Sequence, residues 1–228
     1  VKVTCEMGGK NAVIVLEDAD LDKAATAIHG GAFGSTGQRC TATSRVIAHP
    51  RIKSALVERL KARAEAIRVG DGLRDDVDMG PAVDRSQWRT DLEYIAVAKN
   101  EGARLVTGGG VPAAFGGDSA DGSAGYFVAP TIFDDVTPDM RIFKEEVFGP
   151  VLAVAEADTL DTALRAANGV EYGLTASIFT QDIDRILRFV EESETGMVHV
   201  NEPTIGGEAQ LPFGGIKGSV LGTLMDLM

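Results

Sequence analysis

The stretch "VLAVAEADTLDTALRAANGVEYGLTASIFTQDIDRILRFVEESETGMVHV", Val151 to Val200, alternates between two kinds of pattern. The apolar runs "VLAVAEA", "YGLTASIFT" and "GMVHV" are typical of strands. The segments between them, "DTLDTALRAAN" and "DIDRILRFVEES", are typical of helices. Strands that alternate with helices of this length indicate a mainly parallel sheet with helices on both faces. We therefore predict an α/β fold.

The first half of the chain has the same alternation. We predict a strand from Ala12 to Leu16, followed by a helix with Asp20 at its N-cap. The segments "SRVIAHP", "RLVTGG" and "YFVAPTIFDDV" predict further strands, while "RIKSALVERLKARAEAI" and "QWRTDLEYIAVAKNEGA" predict helices. Because no short repeat and no low-complexity linker interrupts the pattern, we predict that residues 1–228 form a single domain.

The composition argues against several classes of function. The formal net charge is −12, whereas nucleic acids and anionic membranes attract basic surfaces. No apolar run approaches the roughly 18 residues of a membrane-spanning helix, and the first residues lack a signal-peptide pattern. Two cysteines do not make a disulfide framework, so a reducing, cytoplasmic location is expected.

Four loop segments are candidates for a functional site, because the loops at the carboxyl ends of parallel strands tend to carry the chemistry. They are "EMGGK" (6–10), "GQRCTATSR" (37–45), "FKEEVFGP" (143–150) and "NEPTIGGEAQLPFGG" (201–215).

Cys40 is the first candidate residue. Glycine and small polar residues surround it, and Arg39 and nearby backbone N–H groups favour the thiolate, which is the nucleophilic form. The alternative is a small buried core residue, which is the commoner role of a cysteine. None of the three histidines has a companion motif, so a cysteine–histidine protease is not supported.

Glu6 is the second candidate residue, because it precedes Gly8 and Gly9, where backbone can approach a ligand closely. Its alternative role is that of a solvated glutamate at the end of a strand. No His or Cys cluster has the spacing of metal ligands, and neither a G-x-G-x-x-G nor a P-loop motif is present. We therefore expect no metal site and no self-contained nucleotide site.

Taken in order, the four loops resemble the catalytic domain of the aldehyde dehydrogenase superfamily. "EMGGK" is similar to the family's E-L-G-G-K signature, and "GQRCTATSR" to its active-site cysteine segment. Glu6 and Cys40 are 34 positions apart, as in the family, and "EEVFGPV", "YGLTASIFT" and "LPFGGIKGS" follow in the family's order. The resemblance extends from residue 1 to about residue 219.

The resemblance implies a role for each matching residue. Cys40 would be the nucleophile and Glu6 the general base, through a thiohemiacetal and a thioester. Glu146 would contact the nicotinamide ribose of NAD or NADP, and Phe148 would lie beside the nicotinamide. Gly8 lies in the matching glycine pair and would allow the coenzyme to approach closely. Gln87 matches a position that can contact the adenosine ribose, although Thr90 stands where the family often has lysine.

The family also implies what surrounds this chain. Its members are roughly twice as long, with a coenzyme-binding half before the glutamate signature and an oligomerisation segment at the end. We therefore expect residues 1–228 to be a catalytic domain without its coenzyme domain and with an altered C-terminal segment, which alone has little dehydrogenase activity. Homodimers or homotetramers are expected for the longer enzyme, and small semialdehydes such as α-ketoglutaric semialdehyde for its substrates.

Two other functions remain open from the sequence. A cysteine-dependent esterase using Glu6 as its base would hydrolyse esters without a coenzyme. A non-catalytic assembly module would have a buried Cys40 that is inert to iodoacetamide. Neither of these functions accounts for "EEVFGPV" or for the spacing of the loops.

Overall fold

The structure is a computed structural model that describes residues 7–117, 121–207 and 210–219. Its strands are β1 (Asn11–Val15), β2 (Thr43–Ala48), β3 (Arg104–Thr107), β4 (Thr131–Asp134), β5 (Val151–Glu156), β6 (Tyr172–Gly173), β7 (Thr175–Phe179), β8 (Met197–Val200) and β9 (Ile216–Lys217). Its α-helices are α1 (Leu21–Phe33), α2 (Pro50–Glu65), α3 (Arg85–Asn100), α4 (Arg141–Lys144), α5 (Leu160–Asn168) and α6 (Ile183–Glu192). Two 3₁₀ turns cover Gly34–Gly37 and Ala113–Phe115.

Within these ranges, seven strands form one sheet in the order β3-β4-β5-β2-β1-β7-β8. All its neighbouring pairs are parallel except β3 with β4. Strands β6 and β9 form a separate antiparallel pair. The predicted mainly parallel sheet is therefore confirmed.

Helices cover both faces of the sheet, as the sequence predicts. Successive side chains of a strand point to opposite faces. In β1, Ala12 and Ile14 pack in a core with residues of α3, α4, α5 and α6, while Val13 and Val15 pack in a second core with residues of α1 and α2. The sheet thus separates two apolar layers.

Local capping explains where α1 begins. The Asp20 carboxylate accepts hydrogen bonds from the N–H groups of Asp22 and Lys23, both at 3.0 Å. These N–H groups belong to the first turn and have no partner within the helix, so the cap satisfies them. The predicted N-cap is confirmed.

Two predicted strands differ in extent from the observed ones. Of "YFVAPTIFDDV", only Thr131–Asp134 forms a strand, and it begins after Pro130, which has no N–H for a ladder. The run "YGLTASIFT" is divided, since Tyr172–Gly173 pairs with Ile216–Lys217 and Thr175–Phe179 enters the main sheet.

Candidate active site

Three of the four candidate loops lie at one edge of the sheet. The segment 7–10 leads into β1, the Cys40 segment leads into β2, and 145–150 leads into β5. Because β5, β2 and β1 are adjacent and parallel, the three loops are neighbours at the amino ends of these strands.

The expectation that these loops lie at carboxyl ends of strands is therefore wrong for three of them. The physical reason is that the site is built where backbone segments lie very close together. The glycines that permit this close packing stand before the strands, not after them. The fourth loop does follow β8, but it returns toward the same edge. The hydroxyl of Thr175, the first residue of β7, donates to the carbonyl of Thr204 at 3.4 Å.

Gly8 and Gly9 separate Cys40 from Glu146 and contact both segments. The N–H of Gly9 donates to Oε1 of Glu146 at 2.8 Å, and a Cβ at Gly9 would lie only 2.6 Å from the carbonyl oxygen of Cys40. A Cβ at Gly8 would overlap Oε2 of Glu146. The carbonyl of Gly8 in turn accepts from the hydroxyl of Ser219, at 2.6 Å. Glycine at both positions thus allows the loop of Cys40 and the carboxylate of Glu146 to approach the same backbone.

Two charged groups at these loops, Glu146 and Lys10, have shifted pKa values. Burial raises the pKa of the Glu146 carboxyl, although the Gly9 N–H and the charge of Lys10 act in the opposite direction. Burial, together with the nearby charge of Arg45, lowers the pKa of Lys10 to about 7. Both groups are therefore closer to neutrality at physiological pH than they would be in water.

The buried side chain of Arg45 holds backbone segments next to the site. It is 2% exposed, and it donates to the carbonyl oxygens of Lys10, Ala166 and Ala167 at 2.9, 3.0 and 2.9 Å. Its guanidinium also lies 4.7 Å from the centre of the Phe143 ring. One side chain of β2 thus connects the glycine loop to the C-terminal end of α5.

Phe148 has a backbone conformation that needs support. Its φ of 62° lies in the left-handed region, and the residue is 38% exposed. The amide nitrogen of Gln87 donates to the carbonyl of Val147 at 2.8 Å. On the other side of Phe148, the Asp91 carboxylate lies where a Cβ of Gly149 would be. Helix α3 therefore fixes the residues on both sides of Phe148.

Gln87 and Asp91 form a pair, because the same amide nitrogen of Gln87 donates to Oδ1 of Asp91 at 2.8 Å. Asp91 is fully buried, and its Oδ2 has no hydrogen-bond partner among the described residues. Burial raises the pKa of Asp91 to about 7. The contact of Gln87 with an adenosine ribose stays a prediction.

Cys40 lies at the corner of a tight turn and is partly exposed. The N–H of Ala42 donates to the carbonyl of Arg39 at 3.0 Å, which closes the turn around Cys40 and Thr41. The 3₁₀ turn before it has positive φ at Ser35, Thr36 and Gly37.

Glu6 and Cys5 lie outside the described residues, so the predicted general base is not located by the structure. Sequence reasoning did not identify Asn11, Lys10, Arg45, Asp91 or Thr204. A usable signal existed for Asn11 alone, since it is a polar residue at the head of an apolar strand.

A larger cavity than the one at these loops lies elsewhere among the described residues. It has a volume of about 530 Å³ and is lined by residues of β8 and by Gly206, Gly207, Leu211, Pro212 and Phe213. The cleft beside Gly9, Arg39, Glu146 and Phe148 is much narrower. We place the site at the narrow cleft, because Glu146 and Phe148 line it together with Arg39 and Ala42 of the turn that contains Cys40.

Two properties of the described ranges bear on function. Within 7–117, 121–207 and 210–219, no group of three or more His, Cys, Asp or Glu side chains could hold a metal ion. None of the helices in those ranges has the length and apolar character needed to span a membrane.

Comparisons with known proteins agree with this geometry. The model of the aldehyde dehydrogenase family matches residues 1–226. The chain is 50% identical over 218 residues to the 2,5-dioxopentanoate dehydrogenase of Saccharolobus solfataricus, covering 96% of the chain and 44% of that protein. It is 48% identical, with the same coverage, to the alpha-ketoglutaric semialdehyde dehydrogenase of Bacillus subtilis.

A solved structure is also similar. The betaine aldehyde dehydrogenase of Staphylococcus aureus, in complex with NAD⁺, superimposes with a TM-score of 0.89 at 35% identity, covering 96% of this chain and 42% of that one. The chain therefore spans less than half the length of the relatives it matches.

Proposed function

The chain belongs to the aldehyde dehydrogenase family, and from this premise we propose that it is the catalytic domain of an enzyme that oxidises an aldehyde to a carboxylic acid with NAD or NADP. The observation that carries the proposal is the meeting of the Cys40 turn, the Gly8–Gly9 backbone and Glu146 at the amino ends of β1, β2 and β5. Two relatives with 50% and 48% sequence identity are named as dehydrogenases of this kind, which supports the same activity.

Cys40 acts as the nucleophile. Its sulfur adds to the aldehyde carbon, and the carbonyl oxygen becomes an oxyanion that requires N–H donors, of which the Cys40 backbone N–H is one. The tight turn and the glycine contact of the Cys40 carbonyl support this role, because an oxyanion donor must be fixed before the reaction. When hydride leaves the same carbon, a thioester of Cys40 remains.

The residues around Glu146 fit a nicotinamide coenzyme. The Glu146 carboxylate, a group suited to accept from a ribose hydroxyl, occupies the space that a Cβ of Gly8 would take, and Phe148 is partly exposed two positions later. Glu146, Phe148 and Gly8 would hold the nicotinamide end, and Gln87 would be near the adenosine ribose. When bound, the coenzyme supplies the hydride acceptor.

Glu6 completes the reaction by removing a proton from a water molecule. The water oxygen then bonds to the thioester carbon, and the Cys40 thiolate leaves, so the product is a carboxylic acid and the nucleophile is restored. The sequence resemblance supports this role.

We propose a small semialdehyde, such as 2,5-dioxopentanoate (α-ketoglutaric semialdehyde), as the substrate. The support is the 50% and 48% identity to two relatives named for this compound. For the longer enzyme, a homodimer or homotetramer in the cytoplasm is proposed. The low cysteine content supports the location.

NADH formation tests the proposal. We would join the chain to the coenzyme-binding half of the Bacillus relative and follow absorbance of NADH with α-ketoglutaric semialdehyde, using C40S in the same fusion as the matched control. We expect the fusion to reduce NAD and its C40S variant to do so at least a thousandfold more slowly. The separate 228-residue chain should show little activity. An active fusion whose C40S variant keeps the full rate would overturn the proposal, and coenzyme-independent ester hydrolysis alone would favour the esterase.

A further inference from the structure

Three successive carbonyl groups, beginning with that of Cys40, are held by buried side chains. The amide nitrogen of Asn11 donates to the carbonyls of Cys40 and Ala42, both at 2.8 Å. Between them, the Thr41 carbonyl accepts from the hydroxyl of Thr204 at 2.8 Å. Asn11 is 2% exposed and Thr204 is fully buried. The backbone that follows the nucleophile is therefore fixed at every peptide unit.

The side chains that hold these carbonyls also hold one another. The hydroxyl of Thr204 lies 2.8 Å from that of Thr43. Because Thr204 uses its single hydrogen on the Thr41 carbonyl, Thr43 is the donor of this contact. On the other side, the N–H of Thr175 donates to Oδ1 of Asn11 at 3.3 Å, and the Thr175 hydroxyl donates to the Thr204 carbonyl at 3.4 Å.

We call the side chains of Asn11, Thr43, Thr175 and Thr204 the threonine–asparagine network. They come from β1, β2, β7 and the loop after β8, so the network joins three strands and the 201–207 loop at the edge where the Cys40 turn lies. All four residues are at most 2% exposed. Hydrogen bonds in such a dry setting are directional and expensive to break.

The Cys40 segment needs this support because the residues that precede it have a strained backbone conformation. Ser35 and Thr36 have φ of 58° and 59°, in the left-handed region that non-glycine residues rarely adopt. Such conformations persist where the surrounding structure over-determines them. Fixing the carbonyl of Cys40 also fixes the plane of the following peptide and thereby restricts the direction of the Cys40 side chain and N–H.

We propose that Asn11 and Thr204 are positioning residues for Cys40, with Asn11 orienting the peptide units after the nucleophile and Thr204 fastening the 201–207 loop to the same turn. This inference rests on the proposed role of Cys40 as nucleophile. Neither side chain touches the reacting carbon. Each acts by holding the backbone from which the thiolate and the oxyanion donor project.

The test compares two reactions of Cys40 in the 228-residue chain. Acetylation by p-nitrophenyl acetate passes through an oxyanion and depends on the position of the backbone donor, whereas alkylation by iodoacetamide does not form one. For the variant T204V, which removes the hydroxyl but keeps the shape, we expect the ratio of the acetylation rate to the alkylation rate to fall roughly tenfold or more. T204S keeps the hydroxyl and should restore the ratio to within about twofold of the parent.

T131V is the matched control. Thr131 is fully buried, its hydroxyl accepts from the Gly109 N–H at 2.9 Å and donates to the Ala129 carbonyl at 2.7 Å, and it lies at the start of β4. The variant T131V loses a buried hydroxyl, as T204V does, so it should lower stability. It should leave the ratio of acetylation rate to alkylation rate unchanged. If T204V does not fold, T43V removes one hydrogen bond of the network and should lower the ratio by about threefold.

The outcomes separate this inference from the proposed function. A parent chain that is acetylated at Cys40, with a ratio that T204V leaves unchanged, would overturn the positioning role alone. A folded parent chain that is not acetylated at Cys40 would overturn the proposed function and the inference with it. A ratio that falls in T204V and in N11S, but not in T131V, would support the inference.

Discussion

At the scale of single residues, the site depends on the absence of side chains as much as on their presence. A Cβ at Gly8 would overlap the Glu146 carboxylate, which is itself fixed by the Gly9 N–H at 2.8 Å. We predict that G8A lowers the free energy of unfolding by about 1–3 kcal/mol, because the carboxylate must move and lose that hydrogen bond.

A double-mutant cycle checks the cause of this loss. E146A removes the carboxylate that the new methyl group would meet, so G8A should cost much less in the E146A background than in the parent. Urea unfolding of the four proteins measures this. Equal costs in both backgrounds would show that the close contact with Glu146 is not the reason for glycine at position 8.

Asp91 makes stability depend on pH. Burial raises its pKa to about 7 in the folded chain, whereas an unfolded chain titrates it near its ordinary value of about 3.9. Between these values the folded state holds a proton that the unfolded state has released, so the contribution of Asp91 to stability is greatest below about pH 4 and falls as pH rises to about 7. Above that pH both states are ionised, and the loss stays constant.

We therefore predict that D91N, which cannot ionise, gains on the parent as pH rises. The difference in unfolding free energy between D91N and the parent should shift in favour of D91N by on the order of 2 to 4 kcal/mol between about pH 4 and pH 8. Urea unfolding at several pH values in that window measures it, and the subtraction removes the other carboxyl groups. A difference that is independent of pH would contradict the assignment.

At the scale of elements, β2 connects the glycine loop of the site to helix α5 through Arg45. Its guanidinium satisfies the carbonyls of Ala166 and Ala167 near the end of α5, together with that of Lys10. We predict that R45M lowers the unfolding free energy by about 3 kcal/mol or more, because three buried acceptors lose their donors. R45K keeps the charge but lacks the forked donors, so it should recover only part of the loss in thermal or urea unfolding. Full recovery by R45K would contradict the role of the fork.

Elements with strong local signals could be predicted from the sequence, and elements made by distant contacts could not. Helix α1 carries its own cap at Asp20, so its start was predictable. The pairing of Tyr172–Gly173 with Ile216–Lys217 joins residues far apart in the chain, and the short α4 lies in a loop predicted from its motif alone. Neither has a periodic pattern of its own.

At the scale of the whole molecule, the order of the motifs predicts which loops form the site, but not which edge of the sheet they occupy. The strand pattern alone could not reveal that segments 7–10, 37–42 and 145–150 precede their strands and meet across β5, β2 and β1. The polar position of Asn11 at the head of an apolar strand does not reveal its partners, and Thr204 has no sequence signal, since their contacts join positions 29 and 163 residues apart. The candidate residues of the site could thus be chosen from motifs, and the contacts that support them only from the fold.

The most direct test of the nucleophilic role of Cys40 is to locate the acyl group after mixing the 228-residue chain with p-nitrophenyl acetate. Denaturing the protein within one turnover and mapping its peptides by mass spectrometry shows which side chain has been acetylated. We expect a thioester on Cys40 that forms much faster than any adduct of Cys5, and that is absent in C40S. Acetylation of both cysteines at the same rate, or of surface lysines only, would contradict the role of Cys40 as the nucleophile.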